Sequence, residues 1–323
     1  MSSPSEIILS ATDPDLPRNL PKGLARYKNF HLMARGANAM LRSCIDTVIG
    51  RTVAIKTLLP EIRNDRTERR RFLREARVTA QLQHPNTVPV YDIGDDLVEG
   101  LYFTMKRISG ENFFEALKRI ARGDEKTAQE YPVRRRIEIV ISACQALAYA
   151  HMRGVIHRDF KPENIWVGNF GEVVLLDWGV AKVWGHADDN QPIRSSTLPM
   201  AGDSSQLQTL TNQGTRPGTP LYMSPEQVRG YRSIDERTDI FSAGVVLYEM
   251  LTLCEPFKGR TIDETFDNIC RKELAPPSER APGGDIPPAI DDVILRALAK
   301  RPGDRFTYMR ELVDALQDVV EHL

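Results

Sequence analysis

The chain has 323 residues, of which 41% are hydrophobic, so it can bury the core of one large domain or of two lobes. Its 43 basic and 44 acidic side chains give a formal net charge of −1, which argues against a surface that binds nucleic acid or anionic membrane over its whole extent. No window reaches about 18 uninterrupted apolar residues, and the four cysteines form no Cys-x-x-Cys pair. We therefore predict a cytoplasmic protein that neither inserts into a membrane nor binds nucleic acid.

The first part of the chain is predicted to be a short extension followed by a strand-rich region. Residues 1–26 mix Ser, Pro and Asp with isolated apolar residues, without a period, which is typical of a flexible extension. Residues 27–108 favour strands, and one helix with a buried stripe is predicted at 68–82. The clearest strands are predicted at 53–56, 87–94 and 101–105.

The second part of the chain, residues 109–323, has the period of helices. A buried helix is predicted from Ile137 to a stop at Gly154, and a second one at 309–323. The charged stretch 118–131 is predicted to be a mobile insertion, which serves either as a docking site or only as a long connection between helices. Residues 180–219 are rich in Ser, Thr, Gly and Pro and are too long for an ordinary connector.

Several short motifs stand in a fixed order along the chain. They are VAIK (53–56), Glu75, HRDFKPEN (157–164), DWG (177–179), GTP (218–220), SPE (224–226), Asp239 and Arg305. In these motifs the chain resembles the eukaryotic-like (Hanks-type) protein kinases over residues 27–323. Within that family its sequence resembles the bacterial serine/threonine branch. The resemblance implies an α+β, two-lobed protein kinase fold. A small antiparallel β-sheet lobe with one main helix (27–108) would bind ATP, and a larger, mostly helical lobe (109–323) would carry the catalytic loop, the activation segment (177–226) and substrate docking.

Transfer of a γ-phosphoryl group requires groups that neutralise the phosphate charge and a group that orients the incoming hydroxyl. Lys56 is expected to contact the α- and β-phosphates and Glu75 to hold that lysine in place. Asp177 and Asn164 are expected to bind Mg²⁺, for which Mn²⁺ could substitute, with ATP lying between the two lobes. Asp159 is expected to accept the proton of the substrate hydroxyl.

Each of these residues taken singly has a simpler interpretation, such as a strand-end charge for Lys56 or an i,i+4 partner for Glu75. The ordered set favours the functional interpretation. Lys161, two residues after Asp159, is the mark of serine/threonine kinases in this family, and Thr219 is expected to hydrogen-bond around the same aspartate and lysine. His157 is expected to support the catalytic loop structurally.

The phosphate-covering loop departs from the family pattern. The family places Gly-x-Gly-x-x-Gly here, whereas this chain has Ala34, Gly36 and Ala39 at the three positions, so a stiffer and poorer phosphate lid is expected. Trp178 replaces the phenylalanine of Asp-Phe-Gly. The remaining nucleotide contacts that the resemblance implies are Leu41, Ala54, Met105, the backbone of Lys106 and Ile108, and Trp166.

The resemblance also implies control by phosphorylation of the activation segment. Arg158 precedes Asp159, as in family members in which such an arginine pairs with a phosphate. The expected acceptors are Thr209, Thr211 and Thr215, with Ser195, Ser196 and Thr197 as further candidates, and the alternative is a solvated Ser/Thr-rich loop. Glu226 and Arg305 are expected to form a buried ion pair that anchors the segment.

The arginine-rich helix at 68–82 favours either a nucleic-acid patch or, better, a solvated face from which one or two arginines reach the phosphorylated loop. The sequence therefore predicts a serine/threonine protein kinase that phosphorylates protein substrates and its own activation loop. One alternative is a pseudokinase that binds nucleotide but hardly turns it over, because of the altered lid. A small-molecule phosphotransferase is a second alternative, which the SPE run at 224–226 disfavours.

Overall fold

The computed structural model describes residues 19–183, 220–231, 233–281 and 286–323. The chain forms two compact units. The first runs to Gln81 and resumes over Val88–Ile108, and the second consists of Leu82–Thr87 and Ser109–Leu323.

The first unit is a five-stranded antiparallel sheet with one α-helix. The strands are β1 (Tyr27–Arg35), β2 (Ala39–Asp46), β3 (Arg51–Leu58), β4 (Val90–Asp96) and β5 (Gly100–Lys106), in the spatial order β1-β2-β3-β5-β4. The helix, α1, spans Arg66–Gln81. This arrangement confirms the predicted small β-sheet lobe with one main helix.

The two faces of the sheet have separate cores because side chains alternate along each strand. On one face Val53 and Ile55 of β3 pack with Tyr27, Cys44 and Tyr102. On the other face Leu58 packs with Leu101 and Phe103 of β5 and with Phe72 and Ala76 of α1. The side chain of Lys56 follows the alternation of Leu58, and the sheet therefore presents it on the face that α1 covers.

The folded part starts a few residues before the predicted boundary at Tyr27. A 3₁₀ turn at Gly23–Arg26 precedes β1, and the Arg26 guanidinium donates two hydrogen bonds, of 2.6 and 2.7 Å, to the buried carboxylate of Asp46. The hydroxyl and backbone N–H of Thr47 both donate to the Arg26 carbonyl. The predicted flexible extension is thus wrong for its last four residues, because a pairing across 20 residues holds them.

The strand predicted at 87–94 begins only at Val90. Pro89 has no N–H to donate to a sheet, and Thr87 is used elsewhere, since its hydroxyl donates to the carbonyl oxygens of Leu82 and His84. The neighbouring Asn86 carbonyl accepts the N–H of Leu175, which belongs to the second unit.

The second unit is mostly helical. Its helices are α2 (Phe113–Ala121), α3 (Glu125–Glu130), α4 (Val133–Met152), α5 (Pro225–Val228), α6 (Arg237–Thr252), α7 (Ile262–Arg271), α8 (Pro277–Arg280), α9 (Ala289–Ala297) and α10 (Met309–Glu321). Helix α6 lies at the centre, and nearly all its side chains are buried. The predicted helices ending at Gly154 and starting at Met309 are confirmed as α4 and α10, and Gly154 has φ +73°, as a helix stop requires.

The charged stretch 118–131 is helical, and the prediction of a mobile insertion is wrong. Asn112 and Asp124 cap the N-termini of α2 and α3 with their side chains. The guanidinium of Arg119 bonds both Glu111 and Thr127, and the Tyr131 hydroxyl donates to Glu111. Local capping and one polar cluster therefore fold this stretch against the start of α4.

Short strands frame the central loop of the second unit. They are β6 (Gly110–Asn112), β7 (Val155–Ile156), β8 (Ile165–Gly168), β9 (Val173–Leu175) and β10 (Lys182–Val183), with β6-β8-β9 in one sheet and β7-β10 in another. The HRDFKPEN motif is the connection from β7 to β8, and Asp177 lies two residues after the end of β9. Within the described residues, no helix is long and apolar enough to cross a membrane.

Candidate active site

In the first unit, Lys56 and Glu75 form an ion pair. The Lys56 Nζ lies 2.5 Å from Glu75 Oε1, and the side chains are 22% and 12% exposed. Glu75 is on α1 one turn after Phe72, whose ring packs on Phe103 with 5.1 Å between centroids. Because the aromatic contact fixes α1 against the sheet, it also fixes the carboxylate that holds the ammonium group.

The hairpin between β1 and β2 carries the altered glycine positions. Ala34 pairs with Leu41 in the sheet, and Ala39 pairs with Leu58 of β3. The Gly36 N–H donates to the Ala39 carbonyl at 2.9 Å, and a Cβ at Gly36 would lie 3.5 Å from that oxygen, which is ordinary contact. Gly36 is outside the left-handed region, so the hairpin itself does not require a glycine here.

The other nucleotide positions predicted in the first unit lie on neighbouring strands. Ala54 stands directly opposite Met105 in the β3–β5 pair. At the end of β5 the Lys106 N–H donates to the Pro89 carbonyl at 2.9 Å, which leaves the Lys106 carbonyl and the backbone of Ile108 as the groups that could meet a ligand.

In the second unit, Asp159, Lys161 and Asn164 form one hydrogen-bonded group. Lys161 Nζ donates to Asp159 Oδ2 at 2.6 Å, and Asn164 Nδ2 donates to the Asp159 carbonyl at 2.8 Å and to Oδ2 at 3.3 Å. Burial opposes the charge of Lys161, but the carboxylate of Asp159, with weaker effects of Asp177 and Glu163, raises the pKa of Lys161 above its usual value. The group therefore keeps a cation beside the carboxylate.

His157 connects this group to the segment that carries Asp177. Its Nδ1 accepts the backbone N–H of Asp159 at 3.2 Å, so Nε2 carries the proton and donates to the Leu176 carbonyl at 3.1 Å. Leu176 in turn donates its N–H to the Asn164 carbonyl at 2.8 Å. These bonds tie the backbones at residues 159, 164 and 176 together, and Asp177 follows immediately.

Asp239 of α6 holds the backbone of the catalytic loop. Fully buried, it accepts the N–H of His157 and the N–H of Arg158, each at 2.8 Å, and His151 Nε2 lies 2.8 Å from it. Burial by itself would raise the pKa of Asp239, but the hydrogen bond and charge of His151, followed by His157, hold it below its usual value. Arg158 has φ +67° and Asp177 φ +62°, conformations that cost about 1–3 kcal/mol each and persist only when neighbours enforce them.

Glu226 and Arg305 form a buried ion pair with two hydrogen bonds, of 2.7 and 2.9 Å. Arg305 also donates to the carbonyls of Arg237 and Ala299, and Thr238 donates to Glu226. Burial opposes the charge of Glu226, but the bonds from Arg305 lower its pKa below the usual value. With nearly every donor satisfied, the pair attaches the end of the predicted activation segment to α6.

Arg158, expected to pair with a phosphate, donates from Nε to the Val180 carbonyl at 2.7 Å and from Nη2 to the same oxygen. The predicted phosphate acceptors, which are Thr209, Thr211, Thr215 and the three further candidates at 195–197, and also Thr219, lie outside the described residues. Gln227 Nε2 donates to the Arg158 carbonyl at 3.0 Å, a contact across 69 residues that the sequence did not indicate.

Sequence reasoning also missed contacts near the SPE run. Ser224 and Gln227 form a capping box at the start of α5, which the spacing Ser-x-x-Gln could have revealed. The Tyr222 hydroxyl donates to the buried Glu249 carboxylate at 2.5 Å, and Ser224 Oγ lies 2.6 Å from Thr238 Oγ1. The partners of Tyr222 could not be predicted from a local sequence pattern, because they lie on α6, which is distant in sequence.

Both tryptophans of the predicted site are unusual. Trp178 is fully buried, and its ring stands edge-on to that of His157. Trp166 lies on β8 opposite Val174. In the part of the chain that the structure describes, neither indole Nε1 has a hydrogen-bond partner, although both are buried.

Each half of the predicted site thus has its side chains paired within its own unit. A family model described as "Protein kinase domain" matches residues 27–319. The chain belongs to the protein kinase family. Members of this family use ATP and a divalent metal, generally Mg²⁺.

The curated relatives of this kinase domain include bacterial enzymes. "Serine/threonine-protein kinase PknD" of Chlamydia trachomatis is 34% identical over 306 residues, which cover 92% of this chain and 32% of the relative. The protein of the same name from Chlamydia felis is 35% identical over 306 residues, covering 93% of this chain and 31% of the relative. The chain therefore spans about a third of the length of these relatives.

The residues of the kinase domain fit a divalent cation that arrives with nucleotide. No group of three or more His, Cys, Asp or Glu side chains within the described ranges forms a metal site by itself. Mg²⁺ commonly takes one or two protein oxygens together with substrate phosphates. Asn164 turns its Nδ2 toward Asp159 and keeps Oδ1 available, and Asp177 adds a carboxylate.

Proposed function

We propose that this chain is the catalytic domain of a serine/threonine protein kinase, which transfers the γ-phosphoryl group of ATP to Ser and Thr hydroxyls of proteins and of its own activation segment. The observation that carries the proposal is the group formed by Asp159, Lys161 and Asn164. Within one loop this group has a carboxylate, a cation and an amide oxygen, and we assign the amide oxygen to the metal ion.

Asp159 is the residue we assign to the substrate hydroxyl. Its Oδ2 accepts from Lys161 and Asn164, which fixes the carboxylate plane and directs Oδ1 to another partner. A hydroxyl donating to Oδ1 would be oriented for attack and would lose its proton as the new O–P bond forms. Lys161 would stabilise negative charge on the transferring phosphoryl group.

The nucleotide contacts we propose follow the same reasoning. Lys56, held by Glu75, would contact the α- and β-phosphates, and the backbone of Lys106 and Ile108 would meet adenine. Asp177 and Asn164 would hold Mg²⁺, or Mn²⁺ in its place, which neutralises charge on the phosphates when bound. The hairpin with Ala34, Gly36 and Ala39 would cover the phosphates.

Three observations support protein Ser/Thr acceptors and a cytoplasmic location. Lys161 matches the serine/threonine branch of the family, and the relatives carry that name. The SPE run is anchored by the buried pair of Glu226 and Arg305, as a segment that docks peptides requires. All four cysteines are unpaired, as in a reducing compartment.

We do not propose the nucleotide-binding scaffold, because Lys56, Glu75, Asp159, Asn164 and Asp177 are all present and the first two are paired. The altered lid is expected to weaken nucleotide binding. It is not expected to abolish phosphoryl transfer, because these five residues are present.

The test is transfer of labelled phosphate from ATP to a generic protein and to the chain itself, with and without the Asp159→Asn substitution. Loss of the base is expected to lower kcat about 10²–10⁴-fold. The matched control is Asp267→Asn, because Asp267 is an exposed carboxylate on α7 that pairs with Arg271. Equal labelling by the Asp159→Asn variant and the unmodified chain would contradict the assigned base, and no labelling by either would contradict the proposed activity.

A further inference from the structure

The outer face of α1 carries three exposed arginines in a row. Arg66, Arg70 and Arg77 are separated by four and seven residues, so they share one face of the helix, opposite the face that carries Glu75. In the described ranges none of the three forms an ion pair. We call these three residues the arginine row.

The acidic side chains near α1 are already engaged. Glu68 accepts from Arg71 at 2.7 Å and from Asn38 at 3.0 Å, and Glu75 holds Lys56. Asp95 of β4 lies 2.7 Å from Arg69. The helix has six arginines against two glutamates, whereas the whole chain has a net charge of −1, so the positive charge is concentrated on this face.

The arginine row is unfavourable for an isolated helix. Arg66 and Arg70 are four residues apart, a spacing at which like charges destabilise a helix and a glutamate would stabilise it. Because Glu68, Glu75 and Asp95 are engaged with other residues, an anionic partner would relieve this repulsion.

The spacing of the row defines the partner. With a rise of about 1.5 Å per residue, Arg70 lies about 6 Å and Arg77 about 16 Å along the helix axis from Arg66. In an extended peptide the side chains on one face repeat every two residues, or about 6.6 Å, so acidic side chains at positions i, i+2 and i+4 lie on one face over about 13 Å. The long, flexible arginine side chains of the row can reach three carboxylates over that span.

We propose that the arginine row is a docking surface for an extended acidic segment of a partner protein, and that docking regulates the kinase. The regulatory part rests on the proposed function, since α1 also carries Glu75, the partner of Lys56. A ligand that restrains α1 would restrain this ion pair and thereby favour nucleotide binding.

A nucleic acid fits this surface less well. Duplex DNA carries about one charge per 1.7 Å and needs a long basic track. The arginine row is short and is flanked by the exposed carboxylates of Asp65 and Asp95. These would repel a polyanion that extends beyond the row, whereas a peptide with three acidic residues ends within it.

The test uses a fluorescently labelled peptide, GDADADG, whose three aspartates share one face when the peptide is extended. Binding is measured by fluorescence anisotropy at about 50 mM salt, where surface charges are weakly screened. The Arg66→Gln, Arg70→Gln, Arg77→Gln triple variant is expected to bind it at least about tenfold more weakly than the unmodified chain, as loss of several charge-assisted bonds implies. The matched control replaces Arg271, Arg301 and Arg310, which are 79%, 87% and 78% exposed, by Gln and changes the net charge equally. It is expected to keep the affinity.

Four outcomes would overturn the docking surface: no binding up to about 1 mM peptide, equal loss in the control variant, equal binding of a peptide with the aspartates adjacent, or tighter binding of a DNA duplex that depends on the same arginines. For the regulatory part, saturating peptide is expected to lower the KM for ATP of the unmodified chain about two- to fivefold and leave that of the triple variant unchanged. An unchanged KM in both would contradict regulation.

The basal activity of the triple variant is expected to equal that of the unmodified chain. If neither protein had any activity, the proposed function would be contradicted, but the anisotropy measurement would still test the docking surface.

Discussion

The indole of Trp178 stands edge-on to the imidazole of His157, with 4.6 Å between ring centroids and 66° between ring planes. The contact joins the DWG motif to the catalytic loop, because His157 bonds both Leu176 and Asp159. Trp178 is fully buried, and its Nε1 has no hydrogen-bond partner among the described residues.

His157→Phe is expected to keep the ring contact with Trp178 and to lose the hydrogen bonds to Leu176 and Asp159. A loosely held Asp159 should lower kcat about tenfold, as loss of about 1.4 kcal/mol implies, and leave the KM for ATP almost unchanged. Steady-state kinetics against ATP measure both constants. His322→Phe, at the exposed end of α10, is the control, and an unaltered kcat in His157→Phe would contradict the positioning role of His157.

Arg305→Met is expected to lower the free energy of unfolding by about 3–5 kcal/mol, because it leaves the Glu226 carboxylate buried without its cation. Arg301→Met is the matched control. Arg301 is 87% exposed and lies 4.0 Å from Asp304, so its loss should change the free energy by less than about 1 kcal/mol. Urea unfolding of both variants measures the difference, and equal destabilisation would show that the Glu226 pair does not anchor the segment.

Lys300 is expected to give the protein a pH dependence above neutrality. Burial lowers its pKa from 10.5 to about 8, and its Nζ lies 4.1 Å from the Phe257 ring centroid and donates to the Ile269 carbonyl at 3.0 Å. Between about pH 8 and 10.5 the unfolded chain binds this proton more than the folded chain does, so the contribution of Lys300 to stability rises with pH in that window.

Unfolding by urea at several pH values between about 7 and 10.5 tests this, comparing the unmodified chain with Lys300→Met, which should lack the rise. Lys258→Met provides the control, since Lys258 is 59% exposed and pairs with Glu255. Parallel curves for the unmodified chain and Lys300→Met would disprove the contribution.

Ala34→Gly with Ala39→Gly is expected to tighten ATP binding several-fold. Both alanines lie in paired strands, where glycine costs about 0.5–1 kcal/mol of stability each, so the melting temperature should fall while the affinity rises. Calorimetric titration of ATP measures the dissociation constant. Gly36→Ala is the opposite change: the hairpin has room for its Cβ, so weakened binding there without loss of stability would locate the effect at the phosphates. An unchanged dissociation constant in the double variant would show that the lid does not limit binding.

Local periodicity predicted much of the fold. The alternation in β3 and the apolar stripes of α4 and α10 appear where the sequence placed them, because one buried face of each element is encoded within a few residues. The motif order identified the kinase fold. The pairing of Lys56 with Glu75 was also predicted, and here the motif resemblance, and not the periodicity, supplied the partner.

The differences arise where distant residues decide the outcome. The turn before β1 depends on Arg26 reaching Asp46, and the late start of β4 depends on Thr87 bonding within the second unit. In the candidate site, the bonds of Asp239 to His157 and Arg158 span about 80 residues and have no local signature. Such contacts are set by packing, which composition and spacing do not encode.

The dependence of the catalytic loop on Asp239 has a consequence for biosynthesis. The loop residues leave the ribosome about 80 residues before α6, and at roughly 5–20 residues per second this interval lasts several seconds. During that time the nascent chain already contains the complete HRDFKPEN motif but lacks the carboxylate that enforces its backbone geometry. The nascent chain is therefore expected to be inactive until α6 has emerged and packed against the loop.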